Sequence, residues 1–276
     1  MSQPKTVVWI TGGGTGIGKA MAIAYAQKGC AVAISGRRVE RLTEAVAAIN
    51  AAGGEGLAVQ CDVSIEDENK KAVAQIMAQW GRLDIAIANA GFGVRGRIEN
   101  LRAEDWLKQL NVNLIGATQT IRYALPELQK TQGRVALISS VMAYIRSEKH
   151  GAYAASKAAV TAIGETLSLE LIGTGVSCTT IHPGYVESEI GQVTNDGQFS
   201  EDLEDHRPQN LMWTAEDAAA VMLKAIDKRK RLYTFTWHGW FAQFMARHCP
   251  NLVYWAISRS ARGRTRSVDI DKVPSK

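Results

Sequence analysis

Little in this sequence commits it to metal or disulfide chemistry. Four cysteines, Cys30, Cys61, Cys178 and Cys249, are scattered over 276 residues without CxxC spacing, and no His or Cys stands near them at metal-ligand intervals. They read as small core hydrophobes in a chain kept in a reducing compartment. No basic stretch followed by a long apolar run opens the chain, because residues 6–10 are a short run that meets glycines at once. No export signal is visible, and a cytoplasmic location is expected. No apolar stretch reaches membrane-spanning length either, since Arg247, His248 and Pro250 interrupt the most aromatic region. Internal repeats and a second domain are also missing, so one large α/β unit accounts for the length.

Hydrophobic residues make up 46% and charged residues 21%, the balance of a folded globular protein and not of a disordered one. The net charge of +5 is unevenly placed. Residues 228–276 hold eleven Lys or Arg against Asp269 and Asp271, a net of +9, which leaves −4 on the rest. Basicity is therefore a property of the tail, and it bears on what the C-terminus touches.

Short apolar, β-branched runs at residues 6–10, 31–35, 56–61, 83–88, 134–139 and 176–181 predict six buried strands. Amphipathic stretches at 38–52, 66–80, 103–123 and 153–173, with a further helical pattern from Ile17, predict the helices between them. This βαβα alternation predicts a single doubly wound Rossmann-type parallel sheet with helices on both faces. Residues 1–227 are expected to form the catalytic domain, with residues 228–276 as a basic, aromatic-rich extension. Within the domain, the polar segment 187–210 reads as a mobile lid over the active site.

The first strand runs into Thr11-Gly12-Gly13-Gly14-Thr15-Gly16-Ile17-Gly18 and then a helix, the place where such a sheet binds a dinucleotide pyrophosphate. The spacing is GxxxGxG and not GxGxxG. A phosphate-hydrolysing loop is not expected, since Ala20 stands where a hydroxyl would have to hold magnesium. After the second strand, where an NAD enzyme places a carboxylate for the ribose, stand Arg37 and Arg38. Their guanidiniums suit a 2′-phosphate, so NADP (NADPH) is expected over NAD. Further along, Tyr153 and Lys157 share one helical face at i and i+4. A phenol, with a reference pKa of about 10, becomes a usable proton carrier when a neighbouring cation favours its ionised form.

Taken together, these motifs resemble the short-chain dehydrogenase/reductase family over roughly residues 6–188. They comprise the Thr11 to Gly18 loop, Asp62-Val63, Asn89-Ala90-Gly91, Asn113, Ser139-Ser140, the YxxxK pair and Pro183-Gly184, all in family order. The resemblance implies that Tyr153 is general acid in reduction and base in oxidation, with Lys157 lowering its pKa and holding the nicotinamide ribose. It further implies that Ser140 holds the substrate oxygen, with Ser139 as its competitor, and that Asn113 positions a relay water or stabilises a local helix distortion. Gly12, Thr15, Gly16, Ile17 and Gly18 would cradle the pyrophosphate, Asp62 and Val63 would contact adenine, and Asn89, Ala90 and Gly91 would line the channel. Pro183, Gly184, Val186 and Ser188 would seat the nicotinamide. Ala88 and Ser188 depart mildly from the family pattern, which often has Asn and Thr there.

The implied reaction interconverts a carbonyl and a secondary alcohol by hydride transfer without a metal, and the implied assembly is a homodimer or homotetramer. The alternative is a catalytically silent NADP-binding regulator or scaffold. The tail combines Lys228, Arg229, Lys230 and Arg231 with Trp237, Trp240, Phe241, Phe244, Tyr254 and Trp255, then Arg259, Arg262, Arg264 and Arg266. That mixture suggests peripheral membrane contact and a lipophilic substrate, or packing on a subunit or over the pocket. Nucleic acid is not expected as a partner, because no recognition module is visible.

Overall fold

The protein is described from a computed structural model that covers residues 5–205 and 207–264. The side chains of Arg262 and Arg264, and Arg266 altogether, lie outside the described residues.

Seven parallel strands form one sheet in the order β3-β2-β1-β4-β5-β6-β7. They are β1 (Val7–Thr11), β2 (Ala31–Gly36), β3 (Glu55–Gln60), β4 (Ile85–Ala88), β5 (Arg134–Ile138), β6 (Ser177–Ile181) and β7 (Leu232–Tyr233). Nine α-helices accompany them among the described residues: α1 (Gly16–Ala26), α2 (Val39–Ala51), α3 (Glu66–Trp80), α4 (Ala103–Leu110), α5 (Gly116–Thr131), α6 (Gly151–Glu170), α7 (Ala215–Asp227), α8 (Trp237–His248) and α9 (Pro250–Arg264). The chain moves outward from β1 to β3, then crosses back to β4 and continues to β7. The reversal between β1 and β4 opens a crevice at the strand C-termini, where doubly wound sheets bind ligands.

Alternation along β1 explains the two-sided core. Val7 and Trp9 join one apolar cluster, while Val8 and Ile10 join the other. Every residue of β1 is buried, as expected of a strand covered by helices on both faces. Trp9 donates its indole N–H to Ser35 Oγ at 3.0 Å, so the one polar atom of that buried ring is satisfied. Cys30, Cys61 and Cys178 are buried free thiols.

Six strands were expected and seven are present. The seventh, β7, has only two half-buried residues, too short to carry an apolar pattern, and it pairs with β6 through Thr180↔Leu232 and Ile181↔Tyr233. The basic extension therefore begins by completing the sheet. The helix expected over 103–123 is instead α4, a π-helical turn at Asn111–Ile115, and α5, which continues to Thr131. Periodicity cannot reveal one inserted residue, and Pro126 inside α5 hides its true end.

α6 lies against β6 closely enough that a Cβ on Gly164 would sit 2.0 Å from Thr180 Oγ1. This contact fixes the height at which Tyr153 and Lys157, in the first two turns of α6, meet the sheet edge.

Candidate active site

A cavity of about 1560 Å³ opens at the β1/β4 crevice. It is lined by Gly12, Thr15, Gly16, Ile17, Gly18, Arg37, Arg38, Asp62, Val63, Asn89, Ala90, Gly91, Ser140, Tyr153, Lys157, Pro183, Gly184, Val186 and Ser188. Every catalytic or cofactor residue expected from the sequence is thus on its wall except Asn113, which stands behind it at 1% exposure.

The glycines shape the first wall. Gly12 adopts φ +65°, and a Cβ there would press on the Ala90 backbone at 2.9 Å. A Cβ on Gly18 would lie 2.2 Å from the Gly12 carbonyl oxygen, so only glycine lets α1 start this close to the turn. Thr15 precedes α1 without a side-chain cap, leaving the first-turn N–H groups free for an anion. Asn89 braces this loop by donating its amide to Thr11 O at 2.9 Å and Gly12 O at 3.2 Å. Asp62 is occupied locally, accepting from the Ser64 N–H and hydroxyl.

The two arginines stand at the rim and are held by segment 187–210. Arg37 donates to Gly197 O at 2.6 Å. Arg38 pairs with Glu189 at 2.6 Å, reaches Thr15 Oγ1 at 3.5 Å and lies over the Phe199 ring at 5.8 Å.

At the inner end, Lys157 Nζ donates to Ile138 O at 2.7 Å, and burial pulls its pKa down to about 8. Tyr153 is the opposite case. Burial raises its hydroxyl pKa, while a hydrogen bond from Ser140 and the charge of Arg207 act against burial without overcoming it. Ser140 and Arg207 supply the downward pull on the phenol, while the Lys157 ammonium is bonded to Ile138 O. The Ser139 hydroxyl is bonded away from the phenol, to Lys157 O and Thr161 Oγ1, each at 2.8 Å. Ser140 accepts from Met142 N at 3.2 Å and keeps its hydroxyl on the cavity wall.

Asn113 occupies the π turn. Its Oδ1 accepts from Phe92 N at 3.0 Å, and its Nδ2 donates to Phe92 O at 3.0 Å and Ser156 Oγ at 3.1 Å. The carboxamide thus ties the helix distortion to the loop after β4, next to Gly91, whose added Cβ would come 3.1 Å from Asn113 Oδ1 and 3.5 Å from Lys157 Nζ.

Two wall residues escaped sequence reasoning. Arg207 donates to Val186 O (2.9 Å), Ser188 Oγ (3.3 Å) and Ser188 O (2.8 Å), and binds Asp205 through both its Nε and a terminal nitrogen. The guanidinium in turn holds the Asp205 carboxyl below the usual range. His238, on α8, stacks on Tyr185 with ring centroids 5.9 Å apart, and both of its ring nitrogens are buried without a partner. Arg207 lay in a polar stretch with no motif, and His238 lay in a tail that read as an outer surface.

The fold and the cleft define the class first, a doubly wound dehydrogenase. The chain belongs to the short chain dehydrogenase family, whose model matches residues 6–198. A short chain dehydrogenase of Pseudocercospora fijiensis is 39% identical over 193 residues, covering 68% of this chain and 62% of its own length. That alignment therefore spans less than two thirds of the relative. An Arabidopsis thaliana protein named 11-beta-hydroxysteroid dehydrogenase 1A is 31% identical over 259 residues, 90% of this chain and 73% of its own. The fold is shared with an alcohol dehydrogenase of Thermococcus sibiricus, solved with 5-hydroxy-NADP, at TM-score 0.72 and 24% identity, covering 84% of this chain and 96% of that one. Among the described residues, no group of three or more His, Cys, Asp or Glu could hold a metal ion, and no helix is long and apolar enough to cross a membrane.

Proposed function

We propose that this protein is an NADP-dependent oxidoreductase that interconverts a carbonyl and a secondary alcohol, with Tyr153 as the proton carrier. The observation that carries the reading is that one cavity joins the glycine cradle, two rim arginines and the Tyr153, Ser140 and Lys157 side chains. The cradle fits a dinucleotide because its glycines leave room where a Cβ would clash and α1 presents free N–H groups. NADPH would supply the hydride when bound.

The chain's own residues do the rest. Arg37 and Arg38 hold the 2′-phosphate, and Thr15 to Gly18 hold the pyrophosphate. Asp62 and Val63 border the adenine, Asn89 to Gly91 border the channel, and Pro183, Gly184, Val186 and Ser188 seat the ring. Ser140 orients the carbonyl oxygen. Tyr153, whose raised pKa keeps its proton at neutral pH, donates it to the developing alkoxide. Lys157 holds the ribose, and Asn113 positions the relay behind it.

The substrate is lipophilic in this reading, because Phe92, Val141, Met142, Ile145, Val193 and Phe199 share the wall. The hydroxysteroid name of the Arabidopsis relative accords with it. Residues 187–210 act as the lid, the assembly is a homodimer or homotetramer, and the free thiols suit a cytoplasmic location.

The test is NADPH and NADH oxidation against a panel of ketones, aldehydes and sterols, with Tyr153→Phe in parallel. The variant is expected to lose turnover by roughly a thousandfold or more while still binding NADPH. Turnover retained in Tyr153→Phe overturns the assignment of the proton carrier. Activity with no member of the panel in the unaltered protein favours the silent regulator.

A further inference from the structure

α8 and α9 have two unlike sides. On the inner side His238, Gly239 and Ala242 of α8 and Ile257 of α9 line the cavity. On the outer side Trp237, Trp240, Phe241 and Phe244, at i, i+3, i+4 and i+7, are 71%, 58%, 54% and 45% exposed. Tyr254 and Trp255 of α9 are 76% and 55% exposed. Scattered apolar residues on a surface need no explanation, but an aromatic stripe along one helix, continued on the next, is a contact surface.

Charge decides what it contacts. From residue 228 to residue 268 there is no Asp or Glu, while Lys and Arg recur on both sides of the stripe. Arg259 lies over the exposed Trp255 ring at 5.4 Å, a cation set beside an exposed aromatic group. Two copies meeting through this face would bring like charges together. An anionic partner is favoured instead, and exposed Trp and Tyr flanked by Arg and Lys suit the headgroup layer of a lipid surface. The hairpin would lie on the bilayer, because no described helix is long and apolar enough to cross one.

We propose that the α8–α9 hairpin docks the protein on an anionic lipid surface, holding the cavity mouth against the bilayer so that a lipophilic carbonyl or alcohol enters from the lipid phase. Docking does not depend on turnover. Delivery rests on the oxidoreductase reading above, and the two are measured separately.

The experiment uses the full chain with vesicles of phosphatidylcholine alone and of phosphatidylcholine mixed with phosphatidylserine, read by co-sedimentation and by tryptophan emission. Binding to the mixed vesicles is expected, with a blue shift of emission and a fall of roughly tenfold or more at high salt. Trp240→Ser/Phe241→Ser/Trp255→Ser is expected to weaken partitioning by roughly tenfold or more, since the apolar anchor is removed. The same variant should keep NADPH oxidation with a small water-soluble carbonyl within about twofold and lose rate only on a carbonyl dissolved in the vesicles. Should the variant fail to fold, the lipid dependence and blue shift of the unaltered chain decide alone. The proposal is overturned if the full chain stays in the supernatant with both vesicle types, or binds both equally. It is also overturned if the variant only falls to a smaller assembly by light scattering, which would make the face a subunit contact.

Discussion

Lys157 Nζ sits 5.7 Å from the centroid of the Tyr153 ring, yet its hydrogen bond goes to Ile138 O and not to the phenol. The pair is therefore assembled on one face of α6 with two separate tasks. Burial keeps the phenol protonated and makes the ammonium easy to discharge, at about pH 8. A lysine whose folded pKa is lowered loses its charge as pH rises through that value. The kcat/KM for NADPH-dependent reduction, which reports the free enzyme, is accordingly expected to fall above about pH 8. Lys157→Arg keeps a cation to far higher pH and should abolish this limb, whatever its cost in absolute rate. A limb unchanged in the arginine variant would assign it to another group.

The rim arginines give a cofactor prediction. Arg38 and Glu189 are 44% and 25% exposed, and a pair so open to water contributes little, about 0–1 kcal/mol. A 2′-phosphate offers Arg37 and Arg38 stronger charge-assisted bonds, of about 1.5–3 kcal/mol each before the bonds to Gly197 O and Glu189 are given up. Arg37→Ala and Arg38→Ala should each raise KM for NADPH by roughly tenfold and leave KM for NADH within about twofold. Glu189→Gln removes the competitor and should lower KM for NADPH by a few-fold. Equal losses with both cofactors would show that the arginines serve the lid alone.

Arg207 predicts a coupling between lid and site. Its guanidinium binds both carbonyls that flank Glu187, those of Val186 and Ser188, and it is anchored by Asp205. Arg207 and Asp205 are 16% and 21% exposed, so removing one leaves the other partly desolvated and unpaired. Arg207→Ala should cost about 2 kcal/mol in urea unfolding, less than for a fully buried pair. The loss of its charge should also raise the Tyr153 pKa further, visible as a shift to higher pH of the limb along which the oxidation rate rises. Arg207→Lys keeps the charge but not the fork. It should restore the profile more than the stability, and if it restores neither, the role is purely structural.

These residues show where sequence reading stops. The central strands were legible because each is a run buried on both faces, and the cavity wall was legible because glycine loop, Asn89 and Pro183 sit at strand ends whose order the topology fixes. Asn113 was named, but its π turn was not, since one inserted residue leaves helical periodicity almost intact. Ser139 and Ser140 could not be separated from spacing, because successive residues at a strand end face opposite ways and only packing against α6 tells which is spent. Arg207 and His238 reach the cavity from segments joined to it by tertiary contacts alone, and no local pattern records such contacts.

His182 supplies a prediction about stability. It is fully buried at the end of β6, with Nε2 3.0 Å from Thr161 Oγ1 and 3.3 Å from Tyr144 Oη, and with Nδ1 lacking any partner. Burial, reinforced by the positive charges of Arg247 and Lys157, pulls its pKa down to about 4. The folded protein thus keeps the ring neutral while the unfolded chain protonates it below its ordinary value of about 6.5. Between those two values the unfolded state holds more protons, so stability must fall as pH falls. The slope from this one group approaches about 1.4 kcal/mol per pH unit inside the window. His182→Asn retains hydrogen bonding without titration, so its urea midpoint should decline less than that of the unaltered protein between pH 7 and pH 4.5. Carboxylates contribute equally to both proteins and cancel in the difference. Parallel declines would mean that the imidazole gains a proton in the fold as readily as in the open chain.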